Sequence, residues 1–323
     1  MSSNAFLGSR VADAVAMPVH WYYDREALQR DYGPIDGYQA PRNPHPDSIL
    51  WRSTYVALNS DGDILRDQAR YWGQRGIHYH QFLEAGENTL NFRLATELVR
   101  WSTERGGYDP DRWLERYVEV MLTQGWHRDT YVEEYHRGFF TRYAQGKALR
   151  KCSIRDEHIG GLAQVPALFS LLDDLPLDEK RRIVREHVGL THAHANVLRA
   201  ADTLCRLLHR IHEGVGLREA ILSEAGDWIS TRKCEKWATQ PDEHVVGQRF
   251  SPACYIDQAM PAALFLAWKC HDDFDRGIIA NAMVGGDNCH RGAVVGALLG
   301  AACGIHPRWI EGLHQPPEPA AAS

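Results

Sequence analysis

The strongest constraint on the fold lies near the end of the chain. There Val284-Gly285-Gly286-Asp287-Asn288-Cys289-His290-Arg291-Gly292 precedes a small and aliphatic run at 293–303. Two glycines permit positive backbone angles and close approach of other groups. A carboxylate, an amide, a thiol and an imidazole follow at once. The amides at the start of the next helix point outward and favour an anion or a metal-bound oxygen. The run at 293–303 is apolar on every side, so it reads as a helix buried among others. It is too short to span a bilayer. A capped helix start, with Asp287 or Asn288 as the cap, is the simpler reading. So many ligand types at one buried helix mouth argue instead for a site. Asp287, Cys289 and His290 then become candidate reactive or ligating groups, and Gly286 and Asn288 candidate ligand contacts.

Helical periodicity dominates elsewhere. Leu90, Leu94, Leu98 and Trp101 share one face, as do Trp113, Tyr117, Val120 and Met121. The spacing predicts further helices over 183–187, 195–212, 217–229, 261–270 and 278–284. Ala200, Leu204, Leu207, Leu208 and Ile211 line the inner face of the second. The one strand candidate is the short stretch 53–58. A Pro- and Gly-rich connection over 32–48 has no periodicity, and long loops of this kind are often functional. No linker divides the chain. The expectation is one all-α domain over 1–312, with a Pro- and Ala-rich disordered tail over 313–323.

A net charge of −6 gives no general attraction for nucleic acid or an anionic membrane. No basic segment and apolar core open the chain as a signal peptide would. The seven cysteines show no CxxC spacing, which argues against a disulfide framework or a structural zinc site. A reducing cytoplasm is the expected location.

Two more segments carry polar clusters. Gly86-Glu87-Asn88-Thr89 precedes the Leu90 helix, and a cap is the simple reading there too. Val11-Ala12-Asp13-Ala14-Val15-Ala16-Met17-Pro18-Val19-His20-Trp21 reads as a helix stopped at Pro18, with His20 just beyond. Trp21, Tyr22 and Tyr23 are candidates for a cleft wall or for the core. His78 and His80 lie upstream of the central cluster, and His80 is a candidate pocket contact.

Taken together these segments resemble the ADP-ribosylglycohydrolase family over roughly residues 4–312. The family typically shows an opening Gly-Asp-Ala-x-Gly-x-Pro-x-Glu pattern, a central Thr-Asp-Asp-Thr and a late Gly-Asp-x-Asp-Thr/Ser. These align with Ala12 to His20, Gly86 to Thr89 and Gly286 to His290. Ile159-Gly160-Gly161 and Thr191-His192-Ala193-His194 resemble two further family segments. The Gly-Gly-Asp-Asn-Cys-His wording is similar to a subgroup related to J-type crystallins. The resemblance implies an all-α fold of the ADP-ribosylglycohydrolase type and cleavage of a glycosidic bond at the anomeric carbon of ADP-ribose. It also implies a small-molecule or ADP-ribosylated substrate and often two magnesium ions.

The matching positions here are Glu87, Asn88, Asp287, Cys289, His290 and His20. Cys289 replaces a carboxylate, His290 a hydroxyl residue and His20 a glutamate. Glu87, Asp287 and His290 are the metal ligands this alignment implies, with magnesium, zinc or no metal all open. Three readings follow: an oxygen-bound ion with altered glycosidic cleavage, a softer ion on Cys289, His290, His20 and a carboxylate, or metal-free chemistry with Cys289 or a histidine. A changed reaction on another small molecule and a non-catalytic, crystallin-like or ligand-binding role are the rival functions.

Overall fold

The N-terminal helix Ser2–Ala16 lies along the late helix Asn288–Cys303 in the computed structural model, which describes residues 2–314. Glycine allows that approach. A methyl group on Gly296 would sit 2.3 Å from the carbonyl oxygen of Gly8, and one on Gly300 2.5 Å from that of Asn4. Ala12 packs against Gly292 and Gly296 along the same seam. The late helix is buried throughout 288–300, with Ala195–His212, Ile256–Lys269 and Phe274–Met283 also packed on it. An element enclosed in this way has no polar face, which explains its uniform composition.

Outer helices keep one apolar stripe each. Leu90–Glu104 buries Leu90, Leu94, Leu98 and Trp101, and Pro110–Leu122 buries Trp113, Tyr117, Val120 and Met121. The helix over 195–212 has the expected bounds and buries the five expected residues. The helix expected over 183–187 is the end of a longer one, Leu177–Gly189. That expected over 217–229 stops at Glu224, before Ala225-Gly226. The helix expected from Pro261 begins at Ile256, so Pro261 lies inside it.

The stretch 53–58 forms no strand. Val56 is 90 % exposed and Leu58 65 %, so no second layer covers an alternating face. Among the described residues the β pairing is limited to isolated bridges, including His158 with Tyr255. The fold is all-α, in one domain.

Between the helices Arg25–Tyr32 and Leu90–Glu104 the chain makes only short 3-10 turns. This region is a brace rather than a solvated loop. Buried His45 donates its Nε2–H to the carbonyl of His20 at 2.9 Å. Asp47 accepts the backbone N–H groups of Tyr23 and Asp24 at 2.7 and 2.9 Å. The segment carrying His20 is thus fixed from outside.

Leu313 is buried, and the N–H of His314 donates to the carbonyl of Gly86 at 3.0 Å. Those two residues pack on the domain; 315–323, the rest of the expected tail, lie outside the described residues. No helix among the described residues is long and apolar enough to cross a membrane.

Candidate active site

The Gly-Gly turn fastens two distant segments. Gly285 and Gly286 both have φ of 67°. A Cβ on the first would lie 2.3 Å from the carbonyl oxygen of Tyr22, and one on the second 2.1 Å from that of Pro252. The Gly286 N–H donates to the Tyr22 carbonyl at 2.6 Å, and the Trp21 N–H returns to the Gly286 carbonyl at 2.8 Å. Trp21 itself adopts φ 61°, a conformation that costs on the order of 1–3 kcal/mol outside glycine. That backbone bond and a stack of its ring on His20, with centroids 3.9 Å apart, hold it there. His20 and Asp287 therefore meet across a chain separation of 267 residues.

Asp287 is the node. It stands at the N-cap position of the late helix, but its side chain makes no cap hydrogen bond. Its Oδ1 lies 2.9 Å from Nε2 of His20 and 2.6 Å from Nδ1 of His290, one helical turn on. All three side chains are buried. On its other nitrogen His290 contacts Oε1 of Glu133 at 2.8 Å, and Asn91 donates to that same oxygen at 3.1 Å. Burial opposes charge on His290, but Asp287 and then Glu133 hold its pKa well above the ordinary imidazole value. Burial would likewise raise the Asp287 carboxyl, but His290 and His20 hold it well below the usual carboxylate range. An imidazolium is thus clamped between two carboxylates.

A second arm runs inward. Nδ1 of His20 lies 2.8 Å from Nε2 of His80, whose Nδ1 closely contacts Asp129. Burial depresses both histidines to about 3, so both rings are neutral. Ionised Asp287 only accepts, so His20 donates from Nε2 and accepts at Nδ1 from His80 Nε2–H. His80 Nδ1 then needs a donor, and the carboxyl of Asp129, raised to about 7 by burial, supplies one. Donation runs in one direction, from Asp129 through His80 and His20 to Asp287.

What this leaves over is informative. Oδ2 of Asp287 is buried without a hydrogen-bond partner, an expensive state for an ionised oxygen. Asp287 and His290 line a pocket of about 380 Å³. Trp21, Tyr79, Tyr131 and Tyr23 give it aromatic walls; Arg52, Glu133 and Glu134 add charge, and His158 and Cys254 border it as well. Volume and lining suit a small organic ligand with an aromatic part.

Several sequence candidates lie elsewhere. Glu87 does not join this cluster. Its carboxylate closely pairs with exposed Arg128 and accepts the backbone N–H of Glu84 at 2.6 Å. Cys289 turns away from the pocket toward the N-terminal helix, where its thiol donates to the Asp13 carbonyl at 3.6 Å. Burial pushes that thiol well above its ordinary pKa, the opposite of an activated nucleophile. The reason is helical geometry: positions 287 and 290 share a face, and 289 does not. Asn288 donates to the carbonyls of Val19 and Ala282, and so shapes the turn instead of meeting a ligand. Asn88 donates to Asp13 at 2.9 Å, and Thr89 donates to it through both N–H and hydroxyl. The central segment thus contacts Asp13, whose carboxyl burial raises to about 6. Gly286 serves the turn, and His80 supports His20 from behind. Trp21 and Tyr23 are pocket walls and Tyr22 is core.

Glu133, Asp129, His158 and Asp156 are not among the sequence candidates. They come from stretches without a motif, and nothing local marks them. Asn91 and Asp13 lie inside two of the candidate segments, where a polar residue on an apolar helix face is the signal.

The ADP-ribosylglycohydrolase family model matches residues 3–322. The chain belongs to that family. Among solved structures it is similar to a chain of an ADP-ribosylglycohydrolase-related protein complex, with a TM-score of 0.59 and 20% sequence identity. The match covers 97% of this chain and 93% of that one. No curated protein matches it. ADP-ribosylglycohydrolases are hydrolases of ADP-ribose-like substrates and are generally dependent on a divalent metal. In this member, ligand atoms of His20, Asp287 and His290 lie within 4.8 Å of one another, a candidate His/Asp/His metal site.

Proposed function

We propose that this chain hydrolyses an N- or O-glycosidic bond of ADP-ribose or a related ribosyl compound, with Asp287 as the central carboxylate. The observation that carries the reading is the unpartnered Oδ2 of Asp287, buried beside a pocket with aromatic walls. An ionised oxygen kept without a partner is poised for a group that arrives later: a substrate hydroxyl, a water or a cation. Family membership supplies the substrate class.

The donor set bears on the metal. One carboxylate and two imidazoles suit a borderline ion such as zinc better than magnesium, which prefers oxygen. His20, Asp287 and His290 would hold a single ion, and when bound it would polarise a substrate oxygen. To bind it, the two rings must exchange their hydrogen bonds to Asp287 for the metal and release protons. Glu133 and His80, bonded to the far nitrogens of the two rings, would fix their orientation. The aromatic walls would hold a base or sugar face. A metal-free variant has its own support: both nitrogens of His290 already contact carboxylates, so its imidazolium can supply the positive charge. A reducing, cytoplasmic location agrees with seven free thiols.

The test follows release of ADP-ribose from an O-ADP-ribosylated serine peptide by chelator-treated protein, with zinc or magnesium added back. Hydrolysis by wild type and a loss of about 100-fold or more in Asp287→Asn supports the reading. Equal rates in the two proteins overturn it. Zinc-restored activity supports the His/Asp/His ion, and full activity after chelation supports the imidazolium variant.

A further inference from the structure

Cleaving a glycosidic bond to an alkoxide leaving group requires a proton donor at the departing oxygen. The Asp287 cluster offers none free to do this. Asp287 is ionised, His20 donates to Asp287, and His290 is committed to Asp287 and Glu133.

Another imidazole borders the same pocket. His158 is one partner of the isolated bridge with Tyr255, and the Ile159 N–H donates to the Cys254 carbonyl at 2.8 Å. This pairing lays the 156–159 segment beside the 252–256 segment at the pocket edge. Asp156 is buried and fixes the ring: its Oδ1 accepts the His158 backbone N–H at 2.8 Å and contacts Nδ1 at 2.9 Å. Nε2 is left on the far side, and Cys254, which lines the same pocket, is near enough to act on the ring's charge. Burial disfavours a charged ring, but the bond to Asp156 and the contact with Cys254 outweigh it and hold the imidazole above its ordinary pKa. The side chain is 26% exposed, so it can exchange protons with solvent.

We propose that His158 is the general acid of this site, protonating the leaving-group oxygen of the bound ribosyl substrate from Nε2, with Asp156 as its positioning residue. The inference rests on the glycosidic reading above. As the bond from the anomeric carbon to the leaving oxygen breaks, its electron pair stays on that oxygen, which takes the proton of His158. Water adds to the anomeric carbon and gives one proton to solvent, and His158 regains one from solvent. The products are the ribosyl hydrolysis product and a neutral alcohol. Asp156 keeps the ring in place, and Cys254 forms no bond to substrate.

Leaving-group dependence tests this. Two probes share the ADP-ribosyl group: the O-linked serine peptide, whose alkoxide needs a proton, and a 4-nitrophenyl ether, whose phenoxide leaves without one. His158→Gln should lose about 100-fold or more on the peptide and less than about 10-fold on the nitrophenyl probe. Asp156→Asn, which keeps the ring, should lose roughly 10-fold on the peptide alone. Equal losses on both probes, or no loss on the peptide, would overturn the role. If His158→Gln fails to fold, the Asp156→Asn ratio decides by the same criterion. Wild type inactive on both probes would sink the glycosidic reading itself and this role with it.

Discussion

Asp287 and His290 face each other 2.6 Å apart, one helical turn from one another, as a carboxylate and an imidazolium in a site with almost no exposed surface. Such a pair cannot lose one member cheaply, because the survivor keeps its charge without water. His290→Gln should destabilise the protein by about 3–5 kcal/mol in urea titrations, since Asp287 and Glu133 are then left facing each other. The double variant Asp287→Asn/His290→Gln should be more stable than the sum of the single losses allows, with a coupling of about 1–3 kcal/mol. Additive losses would mean that the two charges do not sense one another.

Cys289 and Glu87 give the opposite expectation. Cys289→Ala removes a thiol that faces the Asp13 carbonyl, outside the pocket, so activity should stay within about threefold of wild type, with about 1–2 kcal/mol of stability lost. Glu87→Gln should leave activity unchanged and cost about 1 kcal/mol or less, because its partner Arg128 is exposed. Steady-state rates and urea midpoints of the two variants check both. A loss of activity above about 100-fold in either would return that residue to the site.

These two residues show where linear reading stops. The late segment was legible because its chemistry is local: Asp287 and His290 are fixed relative to each other by one helix turn. The small-residue run was legible for the same reason, since a helix with no polar face has to be enclosed. Cys289 was drawn in by adjacency in the sequence, yet adjacent helical positions point in different directions. Glu87 was drawn in by alignment with the central segment, but in the fold Asn88 and Thr89 of that segment turn to Asp13 while Glu87 goes to Arg128. Glu133, Asp129 and His158 had no local signal. Their meaning arises only when the 127–134 and 156–159 segments close over the late helix.

Acid should unfold this protein from an unusually high pH. His187 is buried beside the Tyr108 hydroxyl, and burial alone depresses it to about 3. Its ordinary value is near 6.5, so between the two the unfolded chain binds a proton that the folded chain does not. Stability therefore falls as pH drops through that window, by about 1.4 kcal/mol per pH unit for one such group. His20, His80, His45 and His192, at about 3 to 4, share this sign, while the raised carboxyls Asp13 and Asp129 oppose it. Comparison with a variant isolates one contribution. The urea stability of His187→Gln, followed from pH 6.5 to 4, should have a slope lower by about 1.4 kcal/mol per unit. An unchanged slope would mean that His187 gains solvent or a partner in the folded state.

The glycine seam should resist even a methyl group. In Gly296→Ala the new Cβ would meet the Gly8 carbonyl oxygen at 2.3 Å, and backbone on both helices would have to move. We expect a loss of about 3 kcal/mol or more, together with reduced activity, because the shift displaces the start of the helix that carries Asp287 and His290. Gly189→Ala is the control: its Cβ meets only Leu198 at 3.8 Å, so stability should change by less than about 1 kcal/mol. Thermal or urea unfolding of the two variants separates a packing limit from a general intolerance of alanine.

The same seam sets an order of events during synthesis. Gly8 leaves the ribosome well before its partner Gly296, which lies far along the chain. At roughly 5–20 residues per second, the N-terminal helix waits on the order of 15–60 s for the surface it was shaped to meet. Throughout that time its small-residue face is uncovered, and His20 has no carboxylate to join. A chain that has not yet reached Asp287 and His290 therefore leaves His20 without the partners that hold its ring in the folded protein.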